Sequence, residues 1–453
     1  MTPQQVSRTR SHRSDAKIPE DFAPEKTSTA TLESAVRRAR KRLLPFLLLM
    51  YVISFLDRAN IGFAKQALQT YAGISPKAYA LAAGLFFLTY AAFELPSNLI
   101  LHRVGARVWM ARIMVSWGLV SMATMFVKGS SSFYVLRLLL GAAEAGFFPG
   151  VILYLTYWFP SPVRARVFGV FYFGAPLAFI FGGPISGLLL QMHPVGTLQN
   201  WQWMFLVEGT LAVAVGIWSY WYLDNRPENA AWLPHAEQQA LTEALLRETP
   251  QDVSHAASDL SHILRNPRLL HFVLIYGLLQ MSVYGVVFYL PSEISNILHK
   301  SAGVEVGLVS AVPWVCALAG AFWLPRIADA TGLHRIMAAL ILLAAGCASF
   351  LFPVSRPAAS LIALCVAATG LIAVQPLFWT FPTSYLSDRA AAGGIAIINA
   401  LGALGGFVAP NIKVMADESF HSGNAGLYVL AGITIVNAGL IAFIRTRPLS
   451  KTS

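Results

Sequence analysis

Asp57 and Arg58 stand side by side in the stretch Ser54–Leu68, "SFLDRANIGFAKQAL", which otherwise reads as a membrane-crossing helix. A second pair, Arg137 and Glu144, lies in another apolar run, seven residues apart. An ionisable side chain in mid-membrane costs about 3 kcal/mol on insertion scales, so each of the four marks a functional site by default. The chemistry open to such a set is anion binding coupled to proton transfer. Arginine offers paired donors matched to a carboxylate. A carboxyl group can change between neutral and ionised forms as burial and a neighbouring arginine compete. Arg58 is therefore expected to grip a substrate carboxylate, and Asp57 and Glu144 to carry protons. Arg137 is expected to pair with one or both acids when they are ionised. Static salt bridges between helices are the alternative for these four residues. They are the preferred reading for Glu94, Arg112 and Glu208, which also lie in apolar spans. Lys65 is expected to snorkel to the membrane interface.

The elements that position these residues follow from composition. Of the 453 residues 56% are hydrophobic and 12% charged, about half the charge of a soluble domain. About twelve apolar runs are each long enough to cross the hydrocarbon layer as a helix. They lie near 43–67, 79–101, 107–127, 132–157, 166–191, 203–223, 269–292, 305–326, 335–353, 358–380, 391–414 and 425–445. The runs are continuous rather than alternating, which excludes a β-barrel. The net charge of +11 is a topology signal, not a nucleic-acid footprint, because the cations gather in alternate loops. Arg37–Arg42, Arg103, Arg107, Arg164, Arg166, Arg326, Arg335, Arg445 and Arg447 fall on one side, which puts both termini and the middle segment in the cytoplasm. On that topology, helical rise places Asp57, Arg58 and Arg137 at comparable depth, with Glu144 about two turns deeper. Cys316, Cys347 and Cys365 have no metal-ligand spacing and read as small core residues. There is no nucleotide-binding loop, metal-ligand cluster or nucleophile–base set, so no cofactor and no enzyme activity is expected.

The chain divides into a tail (1–42), a six-helix half (43–224), a polar central loop (225–268), a second six-helix half (269–446) and a short tail (447–453). The halves repeat one another. "HRVGARVWMAR" after span 2 matches "RIADATGLHR" after span 8, and "RARVFGV" from Arg164 matches "RAAAGGI" from Arg389, at an offset of about 225 residues. Two such halves around a midplane site is an alternating-access architecture. The second half offers neutral groups instead of charges: Gln280 and Tyr284 in span 7, Gln375, Trp379 and Thr380 in span 10, and Asn399 in span 11.

"FLDRANIGFA", "GLFFLTYAAFELPSNLILHRVGAR", "RLLLGAAEAGFFPG", "YLTYWFP", "FWTFPTSYL" and "GGIAIINALGALGGFVAP" carry a family resemblance over essentially all of Arg37–Arg447. The chain resembles the major facilitator superfamily and, within it, the anion:cation symporters. The likeness is greatest to rhamnonate and other sugar-acid permeases, with hydroxyphenylacetate permeases next. This implies an all-α polytopic fold of two pseudo-symmetric six-helix halves in a bacterial inner membrane. It also implies proton-coupled uptake of an organic anion by a protein that works as a monomer. The resemblance puts Tyr90, Trp379 and Asn399 at the substrate, beside Arg58, Gln280 and Tyr284. It makes gating loops of Arg103, Gly105 and Arg107 and of Asp329 and Gly332. His102 and Ala330 depart from the loop motif, which usually carries an acid and an arginine there. "GPISG" in span 5 matches only part of a drug-antiporter motif and reads as a packing and kink device. Permeation of aromatic or dicarboxylic acids, or proton-driven export, is the alternative.

Overall fold

The computed structural model describes residues 24–192, 196–248, 266–351, 356–385 and 388–444. Among the described residues, twelve helices are long and apolar enough to cross a membrane. The first six are α1 (Ala30–Ala72), α2 (Pro76–Val104), α3 (Ala106–Phe126), α4 (Gly129–Thr156), α5 (Ser161–Gln191) and α6 (Asn200–Tyr222). The second six are α7 (Pro267–Leu298), α8 (Val304–Thr331), α9 (His334–Leu351), α10 (Pro357–Tyr385), α11 (Gly394–Ser419) and α12 (Ala425–Ala442). Successive spans alternate in direction. The end of the bundle at which α1 starts is here the near end, and the opposite end the far end.

Several helices start before their apolar runs because polar caps and prolines set the first turn. The Ser75 side chain accepts from the Ala78 N–H at 3.1 Å, with Pro76 at the first helical position. Asn266 does the same for α7, accepting from Arg268 N–H at 3.0 Å ahead of Pro267. Both follow the preference for a short polar acceptor outside the helix and proline just inside. α4 is broken just after Glu144. Gly146 adopts φ +83°, and a Cβ there would collide with the Ser97 hydroxyl. The helical segment Gly129–Glu144 therefore ends on its functional acid.

The tail (1–42) and the central loop (225–268) both contain helix. The helix containing α1 begins at Pro24, and residues 224–248 pack on the near end instead of forming a plain loop. A short helix, His235–Leu246, presents Glu237 to Ser34 at 2.8 Å and to Arg38 at 3.0 Å. Trp232 stacks on Trp158 with ring centroids 5.6 Å apart, and Leu241 is fully buried. The polar average of this segment concealed a minority of apolar anchors, which suffices to dock a short helix. Residues 1–23 and 249–265, the Arg389 side chain, Arg445 and Arg447 lie outside the described residues.

The halves α1–α6 and α7–α12 meet through α5 on α8 and α2 on α11. A Cβ on Gly183 would lie 2.6 Å from the Gly307 carbonyl oxygen, and Gly187 likewise faces Gly303. Small residues let the two backbones touch, and these contacts belong to the far end. The repeated near-end loops are fastened differently. In the first, Gly105 has φ +96°, Arg107 N–H donates to Asn225 at 3.0 Å, and the Arg107 guanidinium lies 4.6 Å from the Tyr220 ring. In the second, Gly332 has φ +70° and Asp329 meets His334 of its own loop at 2.8 Å. Arg103 is exposed.

Candidate functional site

Ser54, Asp57, Arg58 and Ile61 fall at helical i, i+3, i+4 and i+7 spacing, so one face of α1 carries the charged pair inward. Arg58 is 8% exposed and Glu144 is fully enclosed. The Arg58 Nε and Nη2 groups donate to one Glu144 oxygen, Oε1, at 3.0 and 2.7 Å. Ser54 donates to the same oxygen at 2.8 Å. The third arm of the guanidinium, Nη1, donates to the Tyr284 hydroxyl at 2.9 Å, which crosses from the first half to the second. The rings of Phe55, Tyr90 and Phe86 lie 4.8, 5.0 and 5.3 Å from the guanidinium carbon. Aromatic faces supply a cation's surroundings without competing for its hydrogen-bond donors.

Arg137 is 4% exposed and lies 5.0 Å from the Phe86 ring. Its Nε and Nη2 have no hydrogen-bond partner among the described residues. The expected pairing of Arg137 with the acids is thus replaced for Glu144 by a pairing with Arg58. The reason is level: Glu144 stands beside Ser54 and within reach of Arg58, whereas Arg137 lies two turns farther along α4 toward the far end. Asp57 Oδ1 accepts from the Ser121 hydroxyl and, at 3.4 Å, from the Asn60 amide, while its Oδ2 is buried and unpartnered.

Glu94 and Glu208, read from sequence as structural, are buried to 5% and 3% exposure. Asn60 and Ser186 donate to the two Glu208 oxygens at 2.8 and 2.9 Å, which ties α6 to α1 and α5. Asn399 of α11 donates to Glu94 Oε1 at 2.8 Å, a second bridge between the halves. The spans of the first half thus bury the four acids Asp57, Glu94, Glu144 and Glu208 and the two arginines Arg58 and Arg137. Of these four acids, only Glu144 has an arginine in ion-pair contact among the described residues. The other three acids are held by neutral donors, so these residues are not simply a set of fastening salt bridges. Arg112 is exposed over the Trp109 ring at 4.4 Å and is apart from the cluster.

Of the other expected substrate residues, Tyr90 and Tyr284 join Arg58 directly. Tyr276 links Trp379, 5.0 Å from its ring, to Asn399, to which its hydroxyl donates at 3.5 Å, and Asn399 in turn reaches Glu94 of α2. Gln280 stands one turn from Tyr284 with its Oε1 buried and unpartnered. The loop residues Arg103, Gly105, Arg107, Asp329 and Gly332 lie at the near end, away from this cluster. Sequence reading missed Ser54, Asn60, Ser121 and Ser186. The helical spacing of Ser54 and Asn60 about Asp57 was the available signal; Ser121 and Ser186 had none.

Two further observations concern charge outside the cluster. Lys65 is half-buried and lies 4.7 Å from the Tyr289 ring and 5.8 Å from Tyr79. Lys413 of α11 is 6% exposed, lies 4.7 Å from the same Tyr289 ring and is paired with Asp417 at 2.6 Å. The second half is therefore not free of buried charge, but this pair belongs to the far end. Cys316 and Cys365 are free thiols. They line an apolar hollow of about 550 Å³ between α8, α9 and α10, which has no cation to hold an anion.

Among the described residues no His, Cys, Asp and Glu cluster could hold a metal ion. Comparison with known proteins agrees with the fold. The Escherichia coli (strain K12) inner membrane transport protein RhmT is 45% identical over 92% of this chain and 97% of its own. An Agrobacterium vitis protein named "Putative tartrate transporter" is 40% identical, with 92% and 93% covered. The solved structure of the E. coli xylose transporter XylE, partially occluded and inward open, superposes with a TM-score of 0.68 at 14% identity. That superposition covers 89% of this chain and 97% of the other, and at such identity it speaks for the fold alone. The profile of the Major Facilitator Superfamily matches residues 47–410. The chain is a multi-pass membrane transporter, not an enzyme, and it belongs to the Major Facilitator Superfamily.

Proposed function

We propose that this protein is a secondary transporter that takes up an organic anion together with protons, by alternating access, across the bacterial inner membrane. The substrate proposed is a sugar acid such as rhamnonate or a related aldonate. The observation that carries the reading is the double use of Arg58. Its Nε–Nη2 edge is occupied by Glu144, and its Nη1 reaches Tyr284 in the other half. A substrate carboxylate needs that same edge. Protonating Glu144 removes its claim on the guanidinium and frees the edge for the anion. Proton and anion then favour each other's binding, which is the linkage a symporter requires. Asp57, held by Ser121 and Asn60, is the second proton carrier, and Arg137 supplies it with a nearby cation. Tyr90, Gln280, Tyr284, Trp379 and Asn399 line the rest of the anion's seat.

On this reading both termini and residues 225–268 are cytoplasmic, the halves are 43–224 and 269–446, and the monomer is the working unit. The near-end loops around Gly105 and Gly332 gate the cytoplasmic side. The hydroxy-acid class is favoured by the tartrate named for the Agrobacterium relative and by the sugar-acid resemblance of the sequence.

The test is uptake of labelled rhamnonate by proteoliposomes under an inward proton gradient. Accumulation above the external concentration is expected, collapsing with a protonophore. Arg58→Ala should lower uptake by about a hundredfold or more, the loss of a bidentate charged contact. Full accumulation by that variant would place the carboxylate elsewhere. Proton-driven loss of substrate from loaded vesicles, without uptake, would make the protein an exporter.

A further inference from the structure

Glu94 has no role in the proton and carboxylate scheme, yet it is the acid that bridges the halves. It is 5% exposed, its Oε1 accepts from Asn399 at 2.8 Å, and its Oε2 is buried with no partner among the described residues. An unmet buried polar atom of this kind is costly, and here nothing from α2, α7 or α11 answers it. Among the described residues no cation lies within ion-pair distance of it, so it is not half of a fastening salt bridge there.

Its position relative to Arg58 sets what could answer it. Tyr90, one helical turn before Glu94 on α2, has its ring 5.0 Å from the Arg58 guanidinium. Gln280, one turn before Tyr284 on α7, also leaves its Oε1 buried and unpartnered. α2 runs toward the near end and α7 away from it. Glu94 and Gln280 therefore lie on the same side of Arg58, about 6 Å of helical rise toward the near end. The two halves thus offer a guanidinium at one level and unmet acceptors one turn below. A ligand with a carboxylate and, a few carbon atoms away, a hydroxyl complements both levels. The hydroxyl suits Glu94 in either charge state, since it donates to an ionised carboxylate and accepts from a protonated one. An alkyl chain there would leave Oε2 unmet.

We propose that Glu94 is a specificity-determining residue whose free Oε2 takes a hydroxyl of the transported carboxylate, selecting hydroxy acids over acids that are apolar at that position. This rests on Arg58 being the carboxylate seat. A site built to hydrogen-bond a hydroxyl rejects analogues that lack it far more strongly than a merely apolar pocket can.

The experiment compares matched acids on the purified full chain by calorimetric binding: rhamnonate against hexanoate, and tartrate against succinate. The wild type should favour the hydroxylated member of a pair by about tenfold or more. Glu94→Ala should remove most of that preference while binding of the unhydroxylated member stays within about twofold. Glu94→Gln, isosteric and still able to accept, should keep part of the preference and controls for folding. A preference that both variants leave intact overturns the assignment. So does an equal weakening of both members, the mark of a structural role. Binding that requires Arg58 but ignores Glu94 defeats only the hydroxyl assignment. A wild type that binds none of the four acids defeats the carboxylate seat and this assignment together.

Discussion

The two halves share one fold and bury different chemistry. The first encloses Asp57, Arg58, Glu94, Arg137, Glu144 and Glu208 in its spans, whereas the second, among its described residues, encloses Lys413 alone of the charged types. Where the first half joins helices by Arg58–Glu144 and Asn60–Glu208, the second uses neutral pairs. Ser282 and Thr434 are 2.7 Å apart, and Asn437 donates to the Ile275 carbonyl at 3.1 Å. The difference teaches where motion can be read. The acids and arginines belong mostly to one rigid body, so rocking the halves need not separate them. Among the described residues only Arg58–Tyr284 and Glu94–Asn399 carry that set by hydrogen bonds across to the other half, and those are the contacts through which proton state and domain position can communicate.

The sharpest way to break this asymmetry is Glu144→Gln. It leaves Arg58 without its ionised competitor, so concentrative uptake should fall to the level of passive equilibration. Substrate exchange across the membrane in counterflow should persist within about threefold of wild type. Accumulation retained by this variant would remove Glu144 from proton coupling. A next effect in size is expected where the halves touch. Gly183→Val places atoms against the Gly307 carbonyl, which a Cβ alone already approaches to 2.6 Å. Overpacking of about 1–3 kcal/mol should move the population toward separation of the far ends of α5 and α8. Distances between spin labels on those ends would report it, and an unchanged distribution would count against the contact as a clasp.

Lys413→Met probes the buried charge of the other half. Lys413 pairs with Asp417 at the far end, so apparent affinity for the anion should change by less than about threefold, with some loss of thermal stability. A loss of uptake as deep as that of Arg58→Ala would end the assignment of charge chemistry to the first half. The smallest effect concerns the near-end fastening of the middle segment. Burial pushes the Glu248 carboxyl up, but the Ser161 N–H and Arg164, at 2.7 Å, outweigh it and hold Glu248 below the usual carboxylate range. A depressed folded value means the contribution is complete above the unfolded value of about 4.3. It is lost as pH falls through the folded one. The pair is partly exposed, so its worth is at most about 1 kcal/mol. Glu248→Gln should lower the melting temperature slightly at pH 7, and that difference should shrink steadily as pH falls below the unfolded value. A difference that does not change with pH would assign the effect to packing.

Charges in apolar runs are legible in sequence because the bilayer makes them rare. Asp57, Arg58, Arg137 and Glu144 stood out on that ground alone, and the glycine-marked loops and the twelve spans followed from spacing and composition. Partnership was less legible. Glu144 is joined to Arg58 across 86 positions and Asn399 to Glu94 across 305, and no local pattern encodes which helix will stand beside which. Glu208 and Glu94 were set aside as structural because a lone acid in a span looks the same in sequence whether its partner is an arginine, an amide or nothing.

The sequence by itself determined the class of the molecule: long apolar helices, duplicated halves, and an acid–base set confined to one of them, all consequences of helical period and of hydrocarbon as solvent. Only the tertiary structure decided that Arg58, not Arg137, holds Glu144, that one guanidinium serves both halves, and that Glu94 faces Asn399 with an oxygen unmet. Those outcomes depend on the relative level and facing of helices far apart in the chain. Packing between α1, α2, α4, α7 and α11 sets that level and facing, and no residue carries it alone.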